Sequence, residues 1–119
     1  MELVALLSKG EGSWGQVSGL IKKGEWSKIV LLGPSFASDF KIEGFAFDFI
    51  EYDSDKTLSD LRDFFVKKLQ DKLGEDFSDV ALSIASGGGK EHMALISAIQ
   101  AIPRGIRFCA LTKDGIVYL

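Results

Sequence analysis

Short apolar runs alternate along the chain with longer segments that are apolar on one helical face. Apolar runs of about four to eight residues bounded by glycine or polar residues are typical of buried strands. Such runs lie at 2–8 (ELVALLS), 28–33 (KIVLLG) and 79–85 (DVALSIA), and the aromatic run 45–52 (FAFDFIEY) also indicates a strand. The pattern therefore predicts four strands in the first three quarters of the chain.

Three segments have the periodicity of amphipathic helices. The clearest is 57–73, which begins at a capping threonine, Thr57, and stops before Gly74. Its apolar residues recur at helical spacing: Leu58, Leu61, Phe65, Leu69 and Leu73. A first helix is predicted over 13–23, although two internal glycines weaken it by up to about 1 kcal/mol each. A third is predicted over 90–101.

The remaining residues predict a β-hairpin. The runs GIRFCALT and GIVYL flank Asp114-Gly115, a dipeptide that favours tight hairpin turns. The order is then β-α-β-β-α-β-α-β-β over a single domain, 1–119. Helical crossovers between apolar strands imply a Rossmann-like α/β fold: a mostly parallel sheet flanked by helices, with a C-terminal antiparallel hairpin. Segment 34–44 is barely long enough for a crossover, so the direction of the third strand stays open.

Composition narrows the class of ligand. The 119 residues are 46% apolar, which suits one globular domain, and the formal net charge is −3. An acidic chain has no general positive field for long duplex nucleic acid, so an anionic ligand needs a local site. No uncharged apolar stretch reaches the roughly 18 residues of a membrane span, and no basic segment precedes the first apolar run. We therefore expect a cytoplasmic protein that binds no membrane.

Residues that usually hold metals or act as nucleophiles are sparse. The single cysteine, Cys109, lies in an apolar run and is expected to be a buried core thiol. The single histidine, His92, has no cysteine or second histidine near it, so we expect no metal site and no resident cofactor. We interpret His92 as a solvent-facing or interface residue, with general acid–base catalysis as the alternative.

Two strand-to-helix loops have the composition of an anion site. They are 8–15 (SKGEGSWG) and 86–90 (SGGGK), and both follow predicted parallel strands. In doubly wound sheets, ligands bind at the carboxyl ends of the strands, where helix N-termini offer free N–H groups. Serine, glycine and lysine in both loops therefore predict a phosphate-binding site. The alternative is that the three consecutive glycines only let the helix pack closely on the sheet.

Neither loop satisfies a familiar nucleotide motif in full. A P-loop requires Gly-x4-Gly-Lys-Ser/Thr, and the segment around Lys90 fails at two positions. The dinucleotide pattern Gly-x-Gly-x-x-Gly is met by 8–15, but the second strand, 28–33, lacks the carboxylate that would contact the ribose. A Walker ATPase and an NAD-binding protein are therefore not expected.

The third helix has two unlike faces. Its apolar face consists of Ala94, Leu95, Ala98, Ile99, Ala101 and Ile102. The opposite face mixes polar and apolar side chains: His92, Met93, Ile96, Ser97 and Gln100. That face is too apolar for free solvent and too polar for a sealed core, so it is a candidate interface. Burial under neighbouring loops is the alternative.

The order of these parts resembles the CARF domain, the CRISPR-associated Rossmann-fold module that binds cyclic oligoadenylates at a dimer interface. A typical member has a polar turn after its first strand, an acidic stretch after a later strand, and a Thr-Gly-Gly-Thr-Lys turn before an apolar helix. The matching stretches here are LVALLSKGEG, FIEYDSD, VALSIASGGGKEHM and GIRFCALTKDGIVYL, which together span nearly the whole chain. Two positions depart: Ser86 replaces a threonine, and Gly89 replaces a hydroxyl residue.

The resemblance implies ligand-binding residues on both loops. They would be Ser8, Lys9, Gly10 and Ser13 on the first loop and Ser86, Gly87, Gly88, Gly89 and Lys90 on the second. It also implies a homodimer, which doubles the site, and a cyclic or linear oligoadenylate as the ligand. Since no effector domain follows the hairpin, a separate effector protein is a further candidate partner.

Three functions are consistent with the sequence. The first is a CARF-like ligand-sensing domain that binds a cyclic oligoadenylate or related nucleotide at a homodimer interface. The second is a metal-independent ring nuclease, in which Lys90 stabilises developing charge and Ser8 or Ser13 orients the attacking ribose hydroxyl. The third is a small α/β protein-interaction subunit without a small-molecule ligand. Whether the chain is an enzyme is left open.

Overall fold

Strands and helices alternate as the sequence predicts. The computed structural model describes residues 1–10, 12–74 and 78–119. The elements in these ranges are β1 (Glu2–Leu6), α1 (Ser13–Lys23), β2 (Lys28–Gly33), a 3₁₀ turn (Ser35–Ala37), β3 (Asp48–Glu51), α2 (Leu58–Lys72), β4 (Val80–Ser83), α3 (Gly89–Ala101), β5 (Ile106–Thr112) and β6 (Gly115–Tyr118). The predicted order is confirmed, and each helix agrees with its predicted range to within one residue at either end.

The strands form one sheet in the order β3-β2-β1-β4-β5-β6. Strands β1 to β5 are parallel, and β6 runs antiparallel to β5. The Rossmann-like α/β class with a C-terminal antiparallel hairpin is therefore confirmed. The third strand, whose direction the sequence leaves open, is parallel to β2 with Leu31 opposite Phe49. Its crossover is segment 34–47, which contains the 3₁₀ turn in place of an α-helix and delays the start of β3 to Asp48.

Helices cover both faces of the sheet. α2 and α3 pack on one face, where Phe65 and Leu95 contact the core around Leu6. α1 packs on the other face, together with Phe40 from the crossover that follows β2. Right-handed crossovers require this division, because the chain moves across the sheet in one direction from β1 to β3 and in the other from β3 to β5. In the described parts of the chain, none of the helices combines the length and the hydrophobicity that a membrane-spanning helix requires.

The sheet reverses its direction of winding between β1 and β4. The loop after β1 leads to α1 on one face, and the loop after β4 leads to α3 on the opposite face. The carboxyl edge at such a reversal is the crevice position at which open α/β sheets bind ligands. Both loops predicted to bind an anion lie at this position.

A buried ion pair joins three segments at the opposite, amino edge. Glu2 is 1% exposed, and its Oε1 accepts a hydrogen bond from Nη2 of Arg104 at 2.7 Å. The second carboxylate oxygen accepts from the N–H of Gly74 at 2.6 Å. Arg104 also donates to the carbonyl of Ser78 at 3.1 Å. These contacts fix the start of β1 against the segments that follow α2 and α3.

Candidate functional site

The loops that follow β1 and β4 are hydrogen-bonded to each other. The N–H of Ser8 donates to Oγ of Ser86 at 2.7 Å, and the N–H of Gly87 donates to the carbonyl of Lys9 at 2.8 Å. Ser86 has no exposed surface, so its hydroxyl is a buried link between the loops. Because a buried N–H without an acceptor is costly, these bonds hold the two loops in one arrangement.

The loop after β1 is closed by its own side chains. Oγ of Ser13 donates to the carbonyl of Gly10 at 2.7 Å, and Nε1 of Trp14 donates to the carbonyl of Ser8 at 2.9 Å. Ser8 and Ser13 are only 7% and 5% exposed. Lys9 and Gly10, in contrast, are exposed. The two serines therefore determine the shape of the loop, and Lys9 and Gly10 form its solvent-exposed surface.

Three glycines form the turn from β4 into α3. Gly87 has a φ of 92°, in the left-handed region that favours glycine, while Gly88 is extended and Gly89 is the first helical residue. Gly88, Gly89 and Lys90 are exposed, and no described group accepts a hydrogen bond from the N–H of Gly89 or Lys90. These two N–H groups lie at the positive end of the helix dipole and therefore favour an anion.

A carboxylate lies at the same helix N-terminus. Oε1 of Glu91 accepts from the N–H of Gly88 at 3.0 Å, so one of the N–H groups of the turn is already satisfied. The other oxygen, Oε2, is buried and has no partner among the described residues. A ligand phosphate at this turn therefore has the N–H groups of Gly89 and Lys90 as its donors and must tolerate one neighbouring negative charge.

Two further buried polar atoms near the carboxyl edge lack partners within the described ranges. They are the hydroxyl of Tyr52, directly after β3, and Oγ of Ser83, the last residue of β4. Tyr52 and Ser83 are 3% and 1% exposed. The two atoms lie on different faces of the sheet, because Tyr52 packs with Leu82 in the core under α2 and α3, whereas Ser83 alternates with Leu82 along β4. They therefore do not mark one shared site.

The ammonium group of Lys90 is bound by the protein. Nζ donates to the carbonyls of Ser54 and Lys56 at 2.7 and 2.8 Å, across the gap between α3 and the loop that follows β3. Lys9, in contrast, makes no side-chain hydrogen bond or ion pair with any described residue. In this conformation the cation free to meet a ligand at the paired loops is Lys9, and Lys90 positions the neighbouring loop.

His92 also contributes to the shape of the glycine turn. Its Nε2 lies 2.9 Å from the carbonyl of Ser86, and a hydrogen bond at that distance requires the ring nitrogen to donate. The side chain is half-buried. His92 therefore holds the turn from the helix side, and its expected place at solvent or at an interface stays a prediction.

A cavity of 550 Å³ lies at the carboxyl ends of β2 and β3, next to Lys90. Its lining is acidic and aromatic: Pro34, Ser35, Glu51, Tyr52, Asp53, Ser54, Asp55, Lys56 and Phe64. The sequence prediction did not include this cavity, although the acidic stretch FIEYDSD was visible. Its three carboxylates repel phosphate and favour hydroxyl or amino groups of a ligand.

The predicted site residues thus have four different roles. Ser8, Ser13 and Ser86 are buried and shape the loops, whereas Lys9, Gly10, Gly88 and Gly89 are exposed at the crevice. Gly87 provides the left-handed turn, and the side chain of Lys90 is directed to the loop after β3. In the described parts of the chain, no group of three or more His, Cys, Asp or Glu residues is placed to hold a metal ion. Cys109 is buried, as the sequence predicts.

The fold and the paired loops define a Rossmann-like α/β protein with a glycine-rich crevice between β1 and β4. No family model matches the chain, and no curated protein matches it.

Proposed function

We propose that this chain is a CARF-like ligand-sensing domain that binds a cyclic oligoadenylate or a related nucleotide at its carboxyl edge. The observation that carries the proposal is the pairing of the two glycine-rich loops at the point where the sheet reverses its winding. There the free N–H groups of Gly89 and Lys90 are exposed on the turn after β4, and the ammonium of Lys9 is exposed on the adjoining loop after β1. Such donors bind phosphate without a positively charged protein.

The proposal includes a homodimer, in which two crevices together bind one cyclic ligand. Its support is an exposed patch between α2 and α3, where Met93 and Leu58 are 58% and 37% exposed and line one groove. Met93 belongs to the mixed face of α3 that the sequence marks as a candidate interface. A twofold axis beside α3 would bring two glycine turns close together.

Calorimetric titration with cyclic tetra-adenylate and cyclic hexa-adenylate tests the proposal directly. We expect saturable binding by one or both rings and a twofold stoichiometry of protein to ligand. Light scattering of the free protein tests the dimer. The absence of heat at high micromolar ligand would contradict the nucleotide-binding function and favour the third possibility, a protein-interaction subunit.

Substitution at Gly89 tests where the phosphate binds. An added Cβ meets no atom within 4 Å and the backbone is helical, so Gly89→Glu and Gly89→Gln should both fold. A glutamate at the first helical position stabilises the helix dipole but repels phosphate, so Gly89→Glu should unfold at higher urea than Gly89→Gln and bind ligand at least tenfold more weakly. Equal ligand affinities of the two variants would show that the phosphate does not bind at this turn.

Cleavage of the ligand stays a separate prediction. The ring-nuclease alternative assigns chemistry to Lys90, Ser8 and Ser13, but Nζ of Lys90 and Oγ of Ser13 are engaged in hydrogen bonds to backbone carbonyls. These contacts favour binding over catalysis. Chromatography of cyclic tetra-adenylate after incubation with the protein separates the two, since only a nuclease converts the ring to linear products.

A further inference from the structure

An exposed aromatic ring stands beside the paired loops. Phe36, in the 3₁₀ turn after β2, is 52% exposed. Its ring is parallel to that of Trp14 to within 4°, with the ring centroids 6.4 Å apart. A single exposed phenylalanine is ordinary on a protein surface. A parallel aromatic pair at a ligand-binding edge is different, because flat heterocycles stack on such rings.

The ring of Trp14 and the backbone turn that carries Phe36 are held in place by the surrounding structure. Nε1 of Trp14 donates to the carbonyl of Ser8, and the edge of Phe40 packs against the Trp14 ring at 5.9 Å between centroids. The turn that carries Phe36 is closed by the N–H of Ala37, a buried residue that donates to the carbonyl three positions earlier at 2.9 Å. The Trp14 ring and the turn beneath Phe36 are therefore arranged before a ligand arrives, which lowers the entropy cost of binding.

The aromatic pair is connected to the anion-binding turn through one residue. The carbonyl of Ser8 accepts from Trp14, and the N–H of Ser8 donates to Ser86, which begins the glycine turn. The aromatic pair and the glycine turn therefore lie at the same edge of the sheet, on segments that follow β2 and β4 on either side of β1. The base and the phosphate of a nucleotide are separated only by its sugar.

We infer that Phe36 and Trp14 form the base subsite of the crevice: a purine ring stacks on the exposed face of Phe36 while the phosphate lies on the N–H groups of Gly89 and Lys90. The inference rests on the proposed nucleotide-binding function and adds a source of selectivity for nucleotides over sugar phosphates without a base. Stacking uses the π-face common to all bases, so it does not distinguish adenine from guanine, and a sugar phosphate without a base loses the contact.

The test compares adenosine 5′-monophosphate with ribose 5-phosphate, which carries the same sugar and phosphate without the base. Phe36→Ala should weaken binding of the adenosine compound between about fivefold and about a hundredfold, the range that loss of one stacked base produces. Binding of ribose 5-phosphate should be unchanged. The matched control is Phe45→Ala, which removes another exposed phenylalanine, 40% exposed, before the start of β3 at the other edge of the sheet.

Fluorescence provides a second readout. The chain has two tryptophans, so Trp26→Phe leaves Trp14 as its source of indole emission. Adenosine 5′-monophosphate should quench that emission, and ribose 5-phosphate should not. If Trp26→Phe fails to fold, because Trp26 donates to the carbonyl of Leu20, the same comparison is made as the difference in quenching between the wild type and Phe36→Ala.

The outcomes separate the inference from the function on which it rests. Equal affinity of Phe36→Ala and the wild type for adenosine 5′-monophosphate, with ribose 5-phosphate still bound, overturns the base subsite and leaves phosphate binding intact. Failure of the wild type to bind either compound overturns both. A loss of affinity for ribose 5-phosphate in Phe36→Ala also overturns the subsite, because it would show that the substitution disturbs the loop.

Discussion

The hydroxyl of Ser86 stabilises the paired loops of the crevice, although Ser86 has no exposed surface. It accepts the N–H of Ser8, so the loop after β4 satisfies a backbone donor of the loop after β1. In Ser86→Ala that N–H stays buried without an acceptor, which costs about 1–3 kcal/mol of unfolding free energy. Urea denaturation measures the loss, and Ser97→Ala, at an exposed position on α3, is the control. A loss below about 0.5 kcal/mol would contradict the link between the loops.

Cys109 gives a prediction about pH at the same scale. Burial raises the pKa of the Cys109 thiol from 9.0 to about 11, so the folded state favours the neutral thiol. A raised pKa contributes stability that is present below pH 9 and is lost between pH 9 and 11, because the unfolded thiol ionises first. The difference in urea midpoint between the wild type and Cys109→Ala should therefore shrink over that range. A constant difference would show that the thiol is not desolvated.

At the scale of elements, Lys90 links α3 to the loop between β3 and α2. Its Nζ donates to the carbonyls of Ser54 and Lys56, which line the acidic cavity. The side chain is exposed, and exposed contacts contribute little to stability. The main effect of this lysine is therefore expected on the order of the loop, rather than on the free energy of the fold.

Lys90→Met tests this role. We expect faster hydrogen exchange at 53–57 and a change in cyclic tetra-adenylate affinity of about twofold or less, because the ammonium is bound to carbonyls and away from the phosphate site. Lys9→Met should weaken the same ligand more, by about tenfold or more, since a hydrogen bond to a charged group contributes about 1.5–3 kcal/mol. The reverse ranking of the two variants would show that Lys90 leaves the loop and contacts the ligand.

At the scale of the whole molecule, the ion pair of Glu2 and Arg104 joins β1 to the segments after α2 and α3. Both side chains are nearly fully buried. Breaking such a pair leaves an uncompensated charge, so Arg104→Met should cost about 3–5 kcal/mol. Glu2→Leu with Arg104→Met should cost less than the sum of the two single changes, as measured by a double-mutant cycle in urea. Additive losses would mean that the two groups act independently.

Local patterns predicted most of the fold, because helix periodicity and apolar strand runs depend only on residues that are close together in the sequence. The helix over 58–72 and its Thr57 cap illustrate this, with the N–H of Asp60 donating to Oγ1 of Thr57. Segment 34–47 was harder, because a crossover built on one 3₁₀ turn has no periodicity to detect.

The positions of the site loops were predictable, but the roles of their side chains were not. Glycine-rich strand-to-helix turns mark the carboxyl edge of a parallel sheet from sequence alone. The partners of Ser86 and Lys90 lie 78 and 36 or 34 residues away in the chain, and only the assembled sheet brings them together. The exposure of Phe36 could not be predicted either, because a phenylalanine between two apolar strands is most simply interpreted as a core residue.

The position of β1 between β2 and β4 has a consequence for protein synthesis. A ribosome that has released the first half of the chain has supplied β1, β2 and β3, but the crevice still lacks its second wall until β4 and the glycine turn have emerged. On the proposed function, a nascent chain binds nucleotide only after β4 and the glycine turn have emerged. A nucleotide present during refolding is then expected to act after β4 has joined the sheet, rather than on the formation of the first three strands.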